Sequence, residues 1–217
     1  MSQLVSGVKK ILLAPMERRR DRYYAEMRKR LKNHTPTIIS DDCFASLAYH
    51  NLGLEFRSPT IMVGFSKEGF WDFVENLEGF LSVEPKEVRD ESSTCPKGEI
   101  TYEGKRILLE FAHLKSFDTA KQNWERRKQR VDFSNIYIVQ TIIRATEDDI
   151  RHFDSLPYKN KMLITRENLT GSPNVVTHPI LAKSNYQYGE ILHYKTKLSD
   201  HRHMDELDYV AFLNREN

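Results

Sequence analysis

The chain is poor in cysteine and glycine and has no long apolar run. Its 217 residues hold two cysteines, Cys43 and Cys95, far apart in sequence. That count excludes a disulfide-stapled secreted scaffold, and the separation makes no metal or redox spacing, so a reduced cytoplasmic protein is expected. The nine glycines are scattered, with neither GxGxxG nor GxxxxGK[ST] among them. Without a backbone loop to cradle phosphates, the nucleotide-fold oxidoreductase and P-loop kinase readings fall away, and no cofactor is named by the sequence. No stretch approaches the ~20 apolar residues of a membrane span. The short run Val8-Lys9-Lys10-Ile11-Leu12-Leu13-Ala14 is interrupted by lysines and followed by no cleavage site, so it does not read as a signal peptide. A net charge of +2 supplies no overall pull toward nucleic acid, and no nucleic-acid partner is expected.

What is present is an ordinary globular composition, 39% hydrophobic and 29% charged, long enough to bury a substantial core as a single domain over residues 1–217. The charge is unevenly placed. Between Glu17 and Lys32 stand Arg18, Arg19, Arg20, Arg22, Arg28, Lys29, Arg30 and Lys32 against three acids, so eight minus three leaves +5. Tyr23, Tyr24, Met27 and Leu31 recur at helical spacing in the same stretch. Residues 1–34 therefore read as a basic amphipathic helix packed on the body. Its arginines either form a solvated face or give peripheral contact with the anionic inner face of a membrane.

Beyond Pro36, strand and helix signals alternate. Thr37–Ser40, Thr60–Val63, Ile136–Val139 and Met162–Thr165 read as strands. Glu99–Tyr102 and Lys105–Phe111 read as a hairpin about Glu103-Gly104. Helices are expected from Phe44 to Leu52, across 70–81, from Ser116 or Asp118 through Val131, behind a capping box at Thr146–Asp149, and from Met204 to Leu213. Residues 84–99 and 166–179 read as loops. This order predicts an α/β protein, three layers α/β/α about one mixed, mostly parallel sheet.

In such folds ligands bind at the carboxyl ends of strands. The run Thr37-Ile38-Ile39 stops at Ser40-Asp41-Asp42-Cys43, and Leu108-Leu109-Glu110-Phe111 stops at Ala112-His113. Both junctions are expected to open onto one cleft, with Asp41, Asp42, Cys43 and His113 as catalytic candidates. Ser40, Ser58, Lys115, Arg126, Arg127 and Arg130 are the substrate-binding candidates; arginines one helical turn apart can grip phosphate. A thiol at a helix N-terminus has its pKa lowered, and His113 could serve it as a base, while the neighbouring aspartates oppose that shift. Asp42 also suits a helix N-cap. His201-x-His203 invites a metal reading, but an i, i+2 pair converges on one ion only from a strand, so no metal site is expected.

The order Ile38-Ile39-Ser40-Asp41-Asp42-Cys43, Leu52-Gly53-Leu54 with Ser58-Pro59-Thr60, Trp124-Glu125-Arg126-Arg127 with Arg130, and Phe153-Asp154-Ser155-Leu156-Pro157-Tyr158-Lys159-Asn160-Lys161 resembles a bacterial family. That family, of unknown function, is often labelled exopolysaccharide biosynthesis protein, and the resemblance spans about residues 34–214. It implies a cytoplasmic transferase or accessory protein of surface-polysaccharide assembly, acting on a nucleotide sugar, another sugar phosphate or a lipid-linked sugar. The residues themselves leave two alternatives open. One is a Cys–His enzyme of acyl transfer or hydrolysis; the other is a non-enzymatic protein docked at the inner membrane face.

Overall fold

The structure, a computed structural model, describes residues 2–167, 171–183, 185–186 and 189–216, with side chains described from Ala14 onward. Continuous apolar runs build its centre. β1 (Thr37–Ser40), β6 (Ile136–Thr141) and β7 (Asn160–Thr165) are buried along their whole length, as parallel strands covered on both faces must be. With β8 (Val175–Thr177) they form a parallel sheet in the order β1-β6-β7-β8. Ile39 lies opposite Ile138, and Val139 opposite Met162.

Because successive strand residues face opposite ways, each strand feeds two cores. Ile38, Tyr137, Val139, Met162 and Ile164 pack against α1 (Ser2–Arg30), α2 (Phe44–Leu52) and α7 (Tyr209–Leu213). Ile39, Ile136, Ile138 and Leu163 face α3 (Lys67–Glu75), α4 (Leu77–Ser82), α5 (Phe117–Lys128) and α6 (Glu147–Ser155).

The α/β class is as the sequence predicts, but the strands divide into two sheets. β2 (Val63–Gly64), β3 (Lys86–Val88), β4 (Lys97–Tyr102) and β5 (Lys105–Phe111) form a separate antiparallel sheet, ordered β2-β5-β4-β3. Its Ile100, Ile107, Leu109 and Phe111 complete the second core while Lys105, Arg106, Leu108 and Glu110 face outward. The expected strand Thr60–Val63 is mostly turn, because Met62 adopts a left-handed φ of 62° and redirects the chain to pair with β5. The hairpin forms as expected, with Glu103 and Gly104 both at positive φ, the twist a two-residue turn needs. So does the capping box, where Thr146 and Asp149 bond each other's backbone N–H.

Four other segments differ from expectation. The 84–99 segment, expected as a loop, contributes β3 and the first residues of β4, which pair with each other. The helix over 70–81 breaks at Asn76, which leaves helical φ and ψ between α3 and α4. The 166–179 segment contributes β8. The terminal helix is a 3₁₀ turn, His203–Leu207, separated from α7 by Asp208 at φ 42°.

α1 begins well before the basic stretch and carries Pro15 within it. Its Tyr24 and Met27, and Leu31 just past its end, are buried. Several of its basic side chains are bound to the C-terminal segment. Arg30 takes both oxygens of Asp208 at 2.7 and 2.8 Å. Arg19 pairs with Asp200 at 3.4 Å, and Arg20 donates to the carbonyls of Ser199 and Lys197. Arg28 reaches the Asn51 carbonyl at 2.7 Å. The helix is thus a brace across 194–208. Among the described residues, no helix is long and apolar enough to cross a membrane.

This division of labour predicts unequal costs. Met27→Ala, which empties a buried site, should destabilise by about 2–5 kcal/mol in urea unfolding. Arg30→Ala, which breaks a half-exposed ion pair, should cost no more than about 1 kcal/mol.

Candidate functional site

β1 ends at Ser40 and β6 at Thr141, so the adjacent carboxyl ends bring Asp41 and Asp42 together with Thr141. Both aspartates are buried. Asp41 accepts the Thr141 backbone N–H at 3.1 and 3.3 Å on its two oxygens. Asp42 accepts the Phe44 N–H at 2.8 Å and the Thr141 hydroxyl at 3.2 Å. Burial pushes both carboxyls above the usual range, Asp41 furthest, since the Asp42 charge adds to the effect and the bonds from Thr141 only partly offset it. The pair therefore keeps a proton to higher pH than isolated carboxylates would.

Asp42 and Cys43 form one wall of a cleft of about 530 Å³. Ser46 and Leu47 of α2 continue that wall, and Met62, Val63 and Gly64 cross its floor. Cys95, Glu110, Ala112 and His113 come from the second sheet, and Gly189, Leu192, His193 and Arg202 from the C-terminal segment. The two junctions picked out in the sequence do open onto one space, but Asp41, expected to face it, is buried behind the lining and does not. Met62 and His113, both in the cleft, hold left-handed backbone at φ 62° and 64°, a conformation that costs a non-glycine residue about 1–3 kcal/mol. His113 is exposed.

Cys43 stands at the N-terminus of α2, as expected, but it occupies the N-cap position expected of Asp42, and its side chain makes no cap bond. The helix-end potential does not lower this thiol. Burial first, and the Asp42 charge second, push it up to about 11. Capping falls instead to Asp42 and to Ser40, whose hydroxyl donates to the Asp42 carbonyl at 2.8 Å and accepts the Ala45 N–H at 3.1 Å.

The remaining candidates lie away from the cleft wall. Ser58 is buried against the Thr60 hydroxyl at 3.0 Å, closing the turn that precedes β2. Lys115 is exposed beyond His113. The three arginines do not converge as a phosphate grip. Arg126 is exposed and bonds Asn123 at 2.8 Å. Arg127, one turn from Trp124 on the inward face of α5, donates to the Ile61 carbonyl at 3.1 Å, and burial, with Arg126 and Arg130 nearby, lowers its pKa to about 10. Arg130 donates to the Phe56 carbonyl at 3.1 Å and pairs with Glu55 at 3.3 Å. Arg127 and Arg130 thus fasten the 55–61 loop behind Met62.

Glu110, Cys95, His193 and Arg202 were not foreseen. Glu110 could have been found, since it alternates outward between buried Leu109 and Phe111 at the end of β5. His193 and Arg202 sit in irregular chain with no periodic signal, brought together by the Tyr194–Arg202 bridge and by the His203 N–H donating to the His193 carbonyl at 3.1 Å. Arg202 donates to the Leu192 carbonyl at 2.8 Å and lies 4.2 Å from the Tyr194 ring centroid.

Metal-ligand types do gather outside the cleft, at His178, His203 and Glu206. His178 accepts the Ile180 N–H on Nδ1 at 3.1 Å, so its ring proton sits on Nε2, 2.9 Å from Glu206. The lone pair a metal would need there is committed to an N–H, and Lys195 holds the other Glu206 oxygen. His201 is not one of the three; its Nδ1 bonds Asp200 at 2.8 Å and its Nε2 lies 3.9 Å from Glu206. The arrangement works as a hydrogen-bonded support.

The carboxyl pair predicts a pH signature. A carboxyl whose folded pKa is raised contributes stability that is present below its unfolded value, near 3.8, and lost as pH rises through the folded value. Asp41→Asn removes that loss, so the variant should match or trail the native protein in acid and gain on it steadily as pH rises. Thermal unfolding from pH 4 to 8 measures this; a pH-independent difference would contradict the raised carboxyl.

The whole cleft and α1 from Met16 onward fall within one family match. Residues 16–214 match the family described as Domain of unknown function (DUF1919). An uncharacterized protein of Haemophilus influenzae is 28% identical over 199 residues, covering 90% of this chain and 93% of that protein. With nearly all of its length matched, this chain belongs to the DUF1919 family.

Proposed function

We propose that the protein is a transferase of surface-polysaccharide assembly, or an accessory protein to one, and that its cleft takes a lipid-linked sugar phosphate. The observation that carries this is the two-sided chemistry of the cleft. Leu47, Met62, Val63, Ala112 and Leu192 give it apolar walls, while Asp42, Ser46, Glu110, His113, His193 and Arg202 supply the polar set, in which Arg202 and the histidines offset the two carboxyl groups. A prenyl phosphate carrying a sugar has the same division, an apolar chain joined to an anionic head. A nucleotide sugar asks for a stronger diphosphate grip, and Arg127 and Arg130 are already committed to the 55–61 loop. In this reading Arg202 and the two histidines meet the phosphate. Asp42, its carboxyl raised by burial, is the general acid toward the leaving oxygen. The protein would work in the cytoplasm at the inner membrane face, where lipid-linked sugars are presented.

Thermal-shift titration with farnesyl phosphate, UDP-glucose and inorganic phosphate tests the donor class. Farnesyl phosphate should stabilise the protein, by about 2.7 kcal/mol at a hundredfold excess over Kd. Arg202→Gln should weaken it roughly tenfold or more, about 1.4 kcal/mol. Binding of UDP-glucose alone would replace the lipid-linked donor with a nucleotide sugar, and no binding of either would remove the transferase reading.

The Cys–His reading keeps one observation in its favour, that Cys43 and His113 line the same cleft. A thiol pushed up to about 11 has almost no thiolate at neutral pH, so His113 would have to take the proton during attack. Iodoacetamide should accordingly alkylate Cys43 slowly at pH 8. Fast alkylation of Cys43 relative to Cys95, with a midpoint below the roughly 8.5 of a free thiol, would favour the thiol enzyme instead.

A further inference from the structure

A second cavity, of about 580 Å³, lies at the other end of the fold, where Tyr102, Phe133 and Tyr158 meet Glu75, Asn76 and Glu78. Phe133 precedes β6 and Tyr158 precedes β7, so the cavity opens at the amino end of the parallel sheet, whereas the cleft lies at the carboxyl end of β1. Tyr102, paired with Lys105, and His113, past Phe111, likewise stand at opposite ends of β5. The two spaces share no lining residue.

Two of the rings are held in place. The Tyr158 hydroxyl donates to the Val74 carbonyl at 2.6 Å. The Tyr102 ring lies directly on Gly79 of α4, where any Cβ would overlap it, and meets Phe80 edge-on with centroids 5.7 Å apart. Phe133 is 52% exposed, a large apolar side chain left facing water.

The charged residues of the lining have one sign, although Lys105, opposite Tyr102 across the hairpin, stands just outside it. Lys, Arg and His are absent from the described lining, and two carboxylates are present. Glu75 shares its oxygens with Lys105 at 3.4 Å and His152 at 3.1 Å. Glu78 has no ion-pair partner among the described residues; the Tyr102 hydroxyl is pushed up first by its hydrogen bond to Glu103 and the Glu103 charge, then by burial, and last by Glu78. Aromatic faces carry negative potential, and carboxylates at their edge deepen it. An anion would be repelled, and a purely apolar ligand would strip water from Glu78 without compensation.

We propose that this cavity binds an organic cation, an alkylammonium head group seated on the Tyr102, Phe133 and Tyr158 rings with Glu78 as its counter-charge. The site is independent of the cleft and of the reaction proposed there.

NMR of the aromatic ring resonances in the full chain, titrated with choline, tests it, with 3,3-dimethylbutanol as an uncharged isostere and glucose as a neutral sugar that could also stack. Choline should shift the Tyr102, Phe133 and Tyr158 rings at millimolar concentration, and the isostere should bind at least roughly tenfold more weakly. Phe133→Ala and Glu78→Gln, both at exposed side chains, should each weaken choline about three- to tenfold while leaving the remaining spectrum unchanged. Equal response to choline and its isostere would overturn the charge assignment. Shifts with glucose in place of choline would overturn the ligand class. No shift at these rings with choline would overturn the site.

Discussion

Two carboxyl groups buried at the end of β1 hold the strands around the cleft in register, and they do so against their own preference for water. Asp41 and Asp42 both bond Thr141, which joins the end of β1 to the end of β6. The Asp41 carbonyl accepts the Phe65 N–H at 3.1 Å, which fastens the second sheet to the first at the same point. Asp42 also caps α2 through Phe44. Four elements therefore meet on one dipeptide. Its burial disfavours the charged forms, and the hydrogen bonds that offset this cost are those that define the cleft wall.

The strained backbone belongs to the same design. Met62 turns the chain at φ 62°, Val63 and Gly64 then pair with β5, and all three line the cleft. Arg127 and Arg130 then hold the carbonyls of Ile61 and Phe56 from behind. Two of the residues nominated as ligand-binding, Arg127 and Arg130, thus have their guanidinium groups bonded to the loop that leads into Met62.

Much of the architecture was legible because it rests on local chemistry. The buried runs of β6 and β7, the Glu103-Gly104 turn and the Thr146–Asp149 box all follow from residue type and spacing. The junctions at Asp42–Cys43 and His113 were legible because strands end where their apolar pattern ends. The second sheet was not, since nothing in Thr60-Ile61-Met62-Val63 marks Met62 for left-handed backbone. Nor was the direction of the Cys43 shift, which depends on how deeply Asp42 and the thiol are buried. Arg126, Arg127 and Arg130 have equal charge in sequence, and only the packing of Trp124 decides that Arg127 turns inward. The 189–202 wall could not be found, because irregular chain carries no period.

Tyr194 gives the N-terminal brace a consequence for chemistry elsewhere. Arg20 of α1 stands 3.5 Å from its ring centroid and Arg202 of the cleft 4.2 Å from the same centroid. One aromatic ring thus serves as the common seat of two guanidinium groups, one belonging to the brace and one to the cleft. The cleft cation owes part of its position to a helix from which, among the described residues, no lining side chain comes. A tag, truncation or partner that displaced α1 would therefore loosen the seat of the cleft's cation from a distance, without touching any atom that a ligand meets.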